Sequence, residues 1–305
     1  MKAQTFNNPT LFNRLPVAEI SLLLTAFFWG TSYGITKEAL VYTSVLAFIV
    51  IRFGLTSLFL MPFYWRETRK GQTKDWKYTL PTGAILLCIF LAETYGVYHT
   101  TASKAAFLIS LCVLMTPFVE AITAKRWPSK NILGCALLSV VGVLLLTQKN
   151  IGWMVFNIGD YFILLAAFLR ACMVVTTKVL LDGKRLSALC TTSLQANVVT
   201  LGALVIFFAS DIKVTELFPT ECSFWLATFY LALFCTVFAL FAQNYGVKHT
   251  TPSRVALLTG SEPAFGALFA FVWLNESLTL IQMLGGGCIL LATLMATKQK
   301  NTSVS

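Results

Sequence analysis

Charged side chains are scarce in this chain of 305 residues: only 12% are Asp, Glu, Lys or Arg, whereas 57% are apolar. A soluble globular protein carries about 25% charged residues. This chain therefore has too little polar surface to cover itself in water, which excludes an ordinary soluble enzyme or binding domain. At ~20 residues for each membrane-spanning helix, the length suits about ten spans and no sizeable domain outside the membrane.

Motifs that carry chemistry are also missing. There is no GxxxxGK[ST] loop, so the sequence predicts no ATPase machinery of its own. The eight cysteines form no CxxC or Cys/His pairing, which favours small buried apolar side chains over disulfides or zinc ligands. The first 15 residues contain no apolar run typical of a cleaved signal peptide. We expect no metal site and no cofactor.

Acidic residues are scarcer than basic ones, at 13 against 23, which leaves a net charge of +10. A basic protein can bind nucleic acid, but that requires a water-facing basic patch. A chain with so little water-facing surface instead indicates loop charges that set its orientation in a membrane. The predicted partner is the lipid bilayer, not nucleic acid.

Long apolar stretches separated by short polar connections run along the whole chain. Connections such as 99–102, 248–251 and 275–277 join antiparallel helices and leave no room for a second domain. The pattern predicts an all-α integral membrane protein with ten transmembrane helices. The predicted spans are 17–36, 43–65, 79–98, 103–123, 130–148, 157–177, 186–209, 223–246, 252–274 and 278–297.

The basic residues are distributed unequally between the two sides of the predicted membrane. Seventeen of the 23 Lys and Arg residues fall on the side that carries both ends of the chain, four fall on the other side, and Arg52 and Arg170 lie within spans. The positive-inside rule then places the tails, 1–16 and 298–305, in the cytoplasm. We expect a multi-pass protein of the cell inner (plasma) membrane.

The two halves of the chain are related in sequence. Residues 91–108 align without a gap to 241–258 with ten identities in 18 positions, and 26–40 align to 167–181 with five in 15. The repeats are 17–148 and 157–297, with five spans each. Because five is odd, the second repeat is inverted relative to the first. Inverted repeats are typical of transporters, in which the substrate site lies near the bilayer midplane and rocking alternates access.

Several stretches resemble the EamA-type branch of the drug/metabolite transporter superfamily. They are FFWGTSYGITKEAL at 27–40, IRFGLTSLFLMPF at 51–63, YGVYHTTASKAAFLISL at 95–111 and YGVKHTTPSRVALLTGSEPAFGALFAFVWLNESLT at 245–279, followed by LGGGCILLATL at 284–294. The resemblance covers nearly the whole chain. It implies two five-helix repeats around a central cavity and transport of amino acids, nucleobase-type metabolites or other small organic solutes.

Ionisable side chains inside spans are costly, so they are candidates for function. Arg170, in the sixth span, cannot lose its charge; it requires an anionic substrate group, a water-filled cavity or a structural ion pair with Glu93 or Glu120. The carboxyls of Glu93 and Glu120 can bind a substrate amine or a proton, or remain neutral and hydrogen-bonded. We predict substrate binding by all three. Arg52 has Gln195 as its repeat counterpart, which favours a structural role.

Aromatic and amide side chains near these groups are further candidates for substrate binding. Trp29 is the repeat counterpart of Arg170, and Gln243 is that of Glu93. The rings of Trp29, Tyr95 and Tyr245 can stack on a planar substrate or cover a cation, or simply pack against lipid and neighbouring helices.

A second set of residues is predicted to act in coupling or gating. The resemblance implies a structural or gating role for Glu262, which precedes Pro263 in the SEP turn. Pro117 and Pro263 interrupt their spans and can free backbone groups or act as hinges. His99 and His249 end the third and eighth spans in matching motifs, where they can relay protons or cap the helices.

These patterns predict a secondary active or exchange transporter of small metabolites, not an enzyme. Opposite charges at midplane favour amino acids or amino-acid-derived zwitterions; the alternative is exchange of S-adenosylmethionine or a nucleoside-like metabolite. A proton or a second substrate would then be a further partner. An integral-membrane lipid enzyme would need a nucleophile or metal cluster, and a receptor would need a soluble domain or long tail; neither is present. Gly134, Gly142 and 285–287 allow close helix contact, within the chain or in a homodimer.

Overall fold

The structure is a computed structural model that describes residues 15–147, 156–273 and 279–298. These residues form helices joined by short connections, and no β-strand occurs among them. The helices, numbered as the ten spans, are α1 (Leu15–Ala39), α2 (Val45–Arg69), α3 (Leu80–His99), α4 (Ala102–Ser110 and Cys112–Ala124), α5 (Lys130–Thr147), α6 (Ile158–Leu181), α7 (Ala188–Phe208), α8 (Cys222–Ala232, Leu233–Phe238 and Ala239–His249), α9 (Pro252–Thr259 and Glu262–Trp273) and α10 (Leu280–Lys298).

Eight of these helices are long and apolar enough to cross a membrane, namely α2 to α8 and α10. The other two, α1 and α9, complete the predicted ten. Polar residues such as Thr25, Thr31 and Ser32 lie buried in α1, and α9 is divided into two pieces. The all-α membrane fold is confirmed. Residues 1–14 and 299–305 of the predicted tails, and the predicted end of the ninth span at 274, lie outside the described residues.

Packing between the two halves follows the twofold relation of the repeats. Helix α3 packs on α6, and its counterpart α8 packs on α1 in the same way. Helix α4 also packs on α6, and its counterpart α9 packs on α1. Three further contacts join equivalent helices of the two repeats: α2 packs on α7, α4 on α9 and α5 on α10. Each half therefore completes its packing only against the other, as expected of an inverted repeat.

Two ion pairs at opposite faces obey the same relation. Lys104, at the start of α4, lies 2.5 Å from Asp160 at the start of α6. Their repeat counterparts, Arg254 in α9 and Glu19 in α1, also form an ion pair, and Arg254 donates to the Thr297 carbonyl at the end of α10. We call the face with Glu19, Arg254 and Thr297 the terminal face and the face with Lys104 and Asp160 the distal face.

Three spans depart from regular α-helix. The break in α4 falls at Leu111, and that in α9 falls at Gly260 and Ser261, which are equivalent positions in the two repeats. A π-helical stretch, Leu233–Phe238, interrupts α8. The prolines predicted to interrupt their spans lie after these breaks: Pro263 is in the first turn of a new helix piece, where its missing N–H costs nothing, and Pro117 lies within the continuous piece Cys112–Ala124.

Glycines bring two helix pairs into backbone contact. A Cβ at Gly30 of α1 would lie 2.5 Å from the Glu262 carbonyl and 2.7 Å from the Gly266 nitrogen of α9. A Cβ at Gly142 of α5 would lie 2.7 Å from the Gly285 carbonyl of α10. Gly142 and Gly285 therefore serve a contact within the chain, whereas a Cβ at Gly134 would meet nothing within 4 Å.

Candidate functional site

Four helices bring a buried charged cluster together, which we define as Trp29 and Tyr33 of α1, Glu93 of α3, Arg170 of α6 and Glu262 of α9. A guanidinium nitrogen of Arg170 lies 2.8 Å from Glu93 Oε2, and its second terminal nitrogen lies 3.6 Å from Glu262 Oε2. The Tyr33 hydroxyl donates to Glu262 Oε1 over 3.1 Å. One arginine thus links two carboxylates from different helices.

The Trp29 ring covers the guanidinium of Arg170. The Arg170 Cζ lies 4.6 Å from the ring centroid, within the range of a cation–π contact. The indole N–H donates to the Cys235 carbonyl over 2.9 Å, inside the π-helical stretch of α8, and this bond holds the ring in place. Because Trp29 and Arg170 are repeat counterparts that touch, they lie beside the twofold axis that relates the halves.

The break in α9 positions Glu262. This residue is the first of the helix piece Glu262–Trp273, where the free N–H groups and the helix dipole favour a carboxylate. The break in α4 places Cys112 at the equivalent position, at the start of Cys112–Ala124. Paired broken helices whose inner ends meet are the arrangement in which inverted-repeat transporters bind charged substrate groups.

The three charged side chains differ in exposure. The Glu262 side chain is 2% exposed, whereas those of Arg170 and Glu93 are 13% and 12% exposed. Glu262 Oε2 is fully buried and accepts no hydrogen bond. Since a buried charge requires a partner, Arg170 is needed by both carboxylates. The most exposed edge of the cluster is therefore Arg170 with Glu93.

Arg52 of α2 supports the cluster from outside it. Its Nε donates to Thr236 Oγ1 over 2.9 Å, and its guanidinium lies 5.0 Å from the centroid of the Phe90 ring. It interacts electrostatically with Glu93 and Arg170 but forms no ion pair within the described ranges. The repeat counterpart, Gln195, donates to Thr82 over 3.0 Å. Both side chains join neighbouring helices, which agrees with the structural role expected for Arg52.

Glu120, predicted to bind substrate, lies elsewhere. Its carboxylate accepts a hydrogen bond of 2.9 Å from the Ser253 backbone N–H and another from the Ser253 hydroxyl. It therefore caps the first piece of α9 at the terminal face and ties α4 to α9. No hydrogen bond or ion pair joins it to the cluster in the part of the chain that the structure describes.

The remaining predicted residues also lie outside the cluster. Tyr95 packs near Phe162, with ring centroids 6.2 Å apart, and Tyr245 packs against His249 with centroids 4.1 Å apart. A ring nitrogen of His249 lies 2.7 Å from the Tyr245 carbonyl. Gln243 is buried in α8, opposite in the repeat to Glu93.

His99 lies at the distal end of α3 and contacts the start of α6. Its carbonyl accepts a hydrogen bond of 3.1 Å from the Asn157 side chain. A Cβ at Gly159 would lie 2.8 Å from the His99 Cβ, so the two backbones run close together. His99 and His249 thus lie at the ends of their helices on opposite faces, and both contribute to the packing of those helix ends.

Two members of this region had weak signals in the sequence. Tyr33 lies one turn after Trp29, so both share one face of α1, and this spacing is the signal that could have identified it. Cys112 is identified only through its equivalence to Glu262. No group of three His, Cys, Asp or Glu residues capable of holding a metal ion occurs among the described residues.

Several known proteins are similar to this chain in sequence over most of its length. The chain is 29% identical over 286 residues to an uncharacterized transporter of Archaeoglobus fulgidus, covering 92% of this chain and 85% of that protein. It is 26% identical over 290 residues to the WAT1-related protein At3g02690, chloroplastic, of Arabidopsis thaliana, covering 89% of this chain and 67% of that one. It is 23% identical over 282 residues to the uncharacterized transporter YcxC of Bacillus subtilis, covering 90% of each.

A solved crystal structure shares the fold. It superposes with a TM-score of 0.77 over 92% of this chain and 96% of the other, at 12% sequence identity. The sequence profile of the EamA-like transporter family matches residues 17–148 and 157–298. With a multi-pass helical fold built from two related halves, this chain belongs to the EamA-like transporter family.

Proposed function

We propose that this protein carries amino acids, or zwitterions derived from them, across the cell inner (plasma) membrane by alternating access. The proposal rests on the Arg170–Glu93 pair, in which opposite charges lie 2.8 Å apart at the partly exposed edge of a buried cluster. A free amino acid carries the same two charges a few bonds apart. Its carboxylate can replace Glu93 at Arg170 while its ammonium binds the Glu93 carboxylate that is released.

Charge balance favours a zwitterion over an ion. Arg170 interacts electrostatically with both Glu93 and Glu262, and Arg52 interacts with Glu93, so two guanidiniums are set against two carboxylates. A ligand with no net charge leaves that balance unchanged. A purely anionic or cationic solute would add an uncompensated charge where the dielectric constant is low, which is costly.

The inverted repeats support the proposal of alternating access. The Lys104–Asp160 pair joins α4 to α6 at the distal face, and the Arg254–Glu19 pair joins α9 to α1 at the terminal face. We propose that the repeats 17–148 and 157–297 rock about the cluster, so that one pair opens while its counterpart stays closed. The terminal face then lies in the cytoplasm, as the distribution of basic residues favours.

The driving force is proposed to be exchange or proton coupling at the same cluster. Glu262 is held by Tyr33 and by Arg170. When substrate occupies Arg170, this carboxylate loses part of its partner, and uptake of a proton would restore neutrality. In an exchanger, a second substrate molecule performs that task.

The test is uptake and counterflow by the purified protein in proteoliposomes. The panel contains labelled amino acids, S-adenosylmethionine and a nucleoside, each with and without a proton gradient. We expect saturable counterflow of at least one amino acid and its loss in Arg170→Lys. Lys213→Gln, an exposed cation on the distal face, serves as the control and should transport normally. Counterflow of S-adenosylmethionine alone would establish the alternative substrate, and absence of flux for the whole panel would refute the proposal.

A further inference from the structure

A second polar cavity lies at the terminal face, away from the charged cluster. It has a volume of about 170 Å³ and lies between the end of α6, the start of α7 and the end of α8. Three lysines line it. Lys178 lies in the last turn of α6, Lys184 lies just beyond that helix, and Lys248 lies at the end of α8. None of the residues discussed for amino-acid binding lies in its wall.

Positive charge prevails in this cavity. Asp182 is the one acidic residue in the wall, and it is exposed. Lys184 is held over the Tyr78 ring at 4.1 Å, and Lys248 donates to the Leu186 carbonyl. An ammonium has three donors, so both retain N–H groups for a ligand. The ammonium of Lys178 forms no ion pair or hydrogen bond with any described residue, while its backbone carbonyl accepts the Asp182 N–H.

Two buried hydroxyls give an independent indication of a ligand. Thr177 and Thr191 line the cavity and are 3% and 0% exposed. Neither hydroxyl oxygen has a hydrogen-bond partner in the structure. Most threonines buried in these helices donate to the carbonyl one turn earlier, as Thr192 does to Ala188. Buried polar groups are normally satisfied. The hydroxyls of Ser193 and Thr228 also lack a partner, but Thr177 and Thr191 are the two that line this cavity, where a ligand with acceptor atoms would satisfy both.

The first repeat does not reproduce all the lysines of this cavity at the equivalent positions. The counterparts of Thr177 and Lys178 in α1 are Thr36 and Lys37, but the counterpart of Lys248 is Tyr98. Lys37 is bound to the Thr100 carbonyl. Among the described residues, the three lysines of this cavity therefore meet at the terminal face, where the second repeat differs from the first.

We propose that this cavity binds a phosphate group, supplied by a free phosphorylated solute or by the headgroup of an anionic lipid. A phosphate monoester carries a charge of about −1.5 to −2, and the phosphodiester of a lipid such as phosphatidylglycerol carries a single negative charge. Both are attracted to three ammonium groups opposed by one carboxylate. Lysine binds phosphate as a point charge, and the two threonine hydroxyls supply short-range donors. The site does not depend on what the Arg170 cluster transports.

The experiment measures binding to the full chain in nanodiscs, without transport. Nanodiscs of phosphatidylcholine alone are titrated with labelled inorganic phosphate, and a parallel set contains one-fifth phosphatidylglycerol and no phosphate, with the melting temperature as readout. The variants are Lys178→Gln with Lys248→Gln, and Thr177→Val, which removes one hydroxyl at constant shape. Lys125→Gln, an exposed cation on the same face, is the matched control.

Two results support the proposal and identify the source of the phosphate. Saturable phosphate binding that falls at least tenfold in the double variant and severalfold in Thr177→Val, but not in Lys125→Gln, indicates a free phosphate group. Stabilisation by phosphatidylglycerol that disappears in the same variants, without binding of free phosphate, indicates a lipid headgroup. If neither ligand distinguishes Thr177→Val from the control, the proposal is wrong, and that result stands even if the double variant fails to fold.

Discussion

Arg170 holds the charged cluster together because it pairs with both Glu93 and Glu262, which no other described residue does. The contribution of a buried ion pair to stability becomes measurable when one of its partners is removed. Removing it leaves the other charge buried and unpaired, at a cost of about 3–5 kcal/mol. The effect on stability therefore has to be separated from the effect on transport.

Arg170→Ala is expected to destabilise the protein as well as to abolish transport, since it leaves two carboxylates without a cation. Arg170→Gln combined with Glu93→Gln removes one charge of each sign and should be less destabilising than Arg170→Ala, while remaining inactive. Melting temperatures in detergent, read beside counterflow in proteoliposomes, check both statements. A double variant less stable than Arg170→Ala would contradict the account of the pair.

Tyr33→Phe tests the hydrogen bond of 3.1 Å to Glu262. Loss of one such bond to a charged group costs about 1.5–3 kcal/mol, so the fold should survive with a lower melting temperature. If Tyr33 holds Glu262 beside Arg170, the affinity for substrate in counterflow should fall as well. Phe90→Leu, which alters packing next to Arg52 and not Glu262, is the comparison variant.

At the scale of the helix, the distance between α1 and α9 is set by Gly30 and Gly266. Gly30 has the Glu262 carbonyl and the Gly266 backbone where a Cβ would stand, at 2.5 and 2.7 Å. Backbone atoms cannot move aside as a flexible side chain can. The closeness of these helices brings Glu262 within reach of Tyr33, so this glycine contact also shapes the cluster.

Gly30→Ala should therefore lower the melting temperature and impair transport, because α1 and α9 must separate. Gly34, one turn further along α1, has nothing within 4 Å of the position of a Cβ. There the substitution should raise stability by about 0.5–1 kcal/mol, the usual gain of alanine over glycine within a helix. Gly142→Ala and Gly134→Ala form a second matched pair on α5. Equal melting temperatures for the two variants of each pair would show that the close backbone contacts do not contribute to stability.

At the scale of the molecule, the two symmetric ion pairs provide one closing contact at each face. Breaking one should favour opening of its own face and leave the other unaffected. We expect Lys104→Gln to increase hydrogen exchange at residues 99–104 and Glu19→Gln to increase it at 249–254. Hydrogen–deuterium exchange in nanodiscs measures both segments in each variant, with Lys213→Gln as control. Equal changes at both faces in either variant would contradict independent closing contacts.

Composition, spacing and self-similarity determine much of this protein without any coordinates. The excess of apolar residues requires a lipid environment, and the repeat of YGVxHTT at 95–101 and 245–251 establishes two related halves of opposite orientation. The alignment of 26–40 with 167–181 pairs Trp29 with Arg170, and the structure finds the two in contact. These inferences succeed because they depend on the solvent and on the order of residues, not on how the helices are rotated.

Only the tertiary structure decided which carboxylates Arg170 meets. Glu93, Glu120 and Glu262 all lie in apolar spans, and the sequence offered Glu93 and Glu120 as possible partners of Arg170. In the structure Glu93 and Glu262 face Arg170, while Glu120 caps α9 at Ser253. Helices that are apolar on every side carry no periodic signal of the face that points inwards. Helix rotation, the break before Glu262 and the close approach at Gly30 set that choice, and each arises from contacts between residues far apart in the chain.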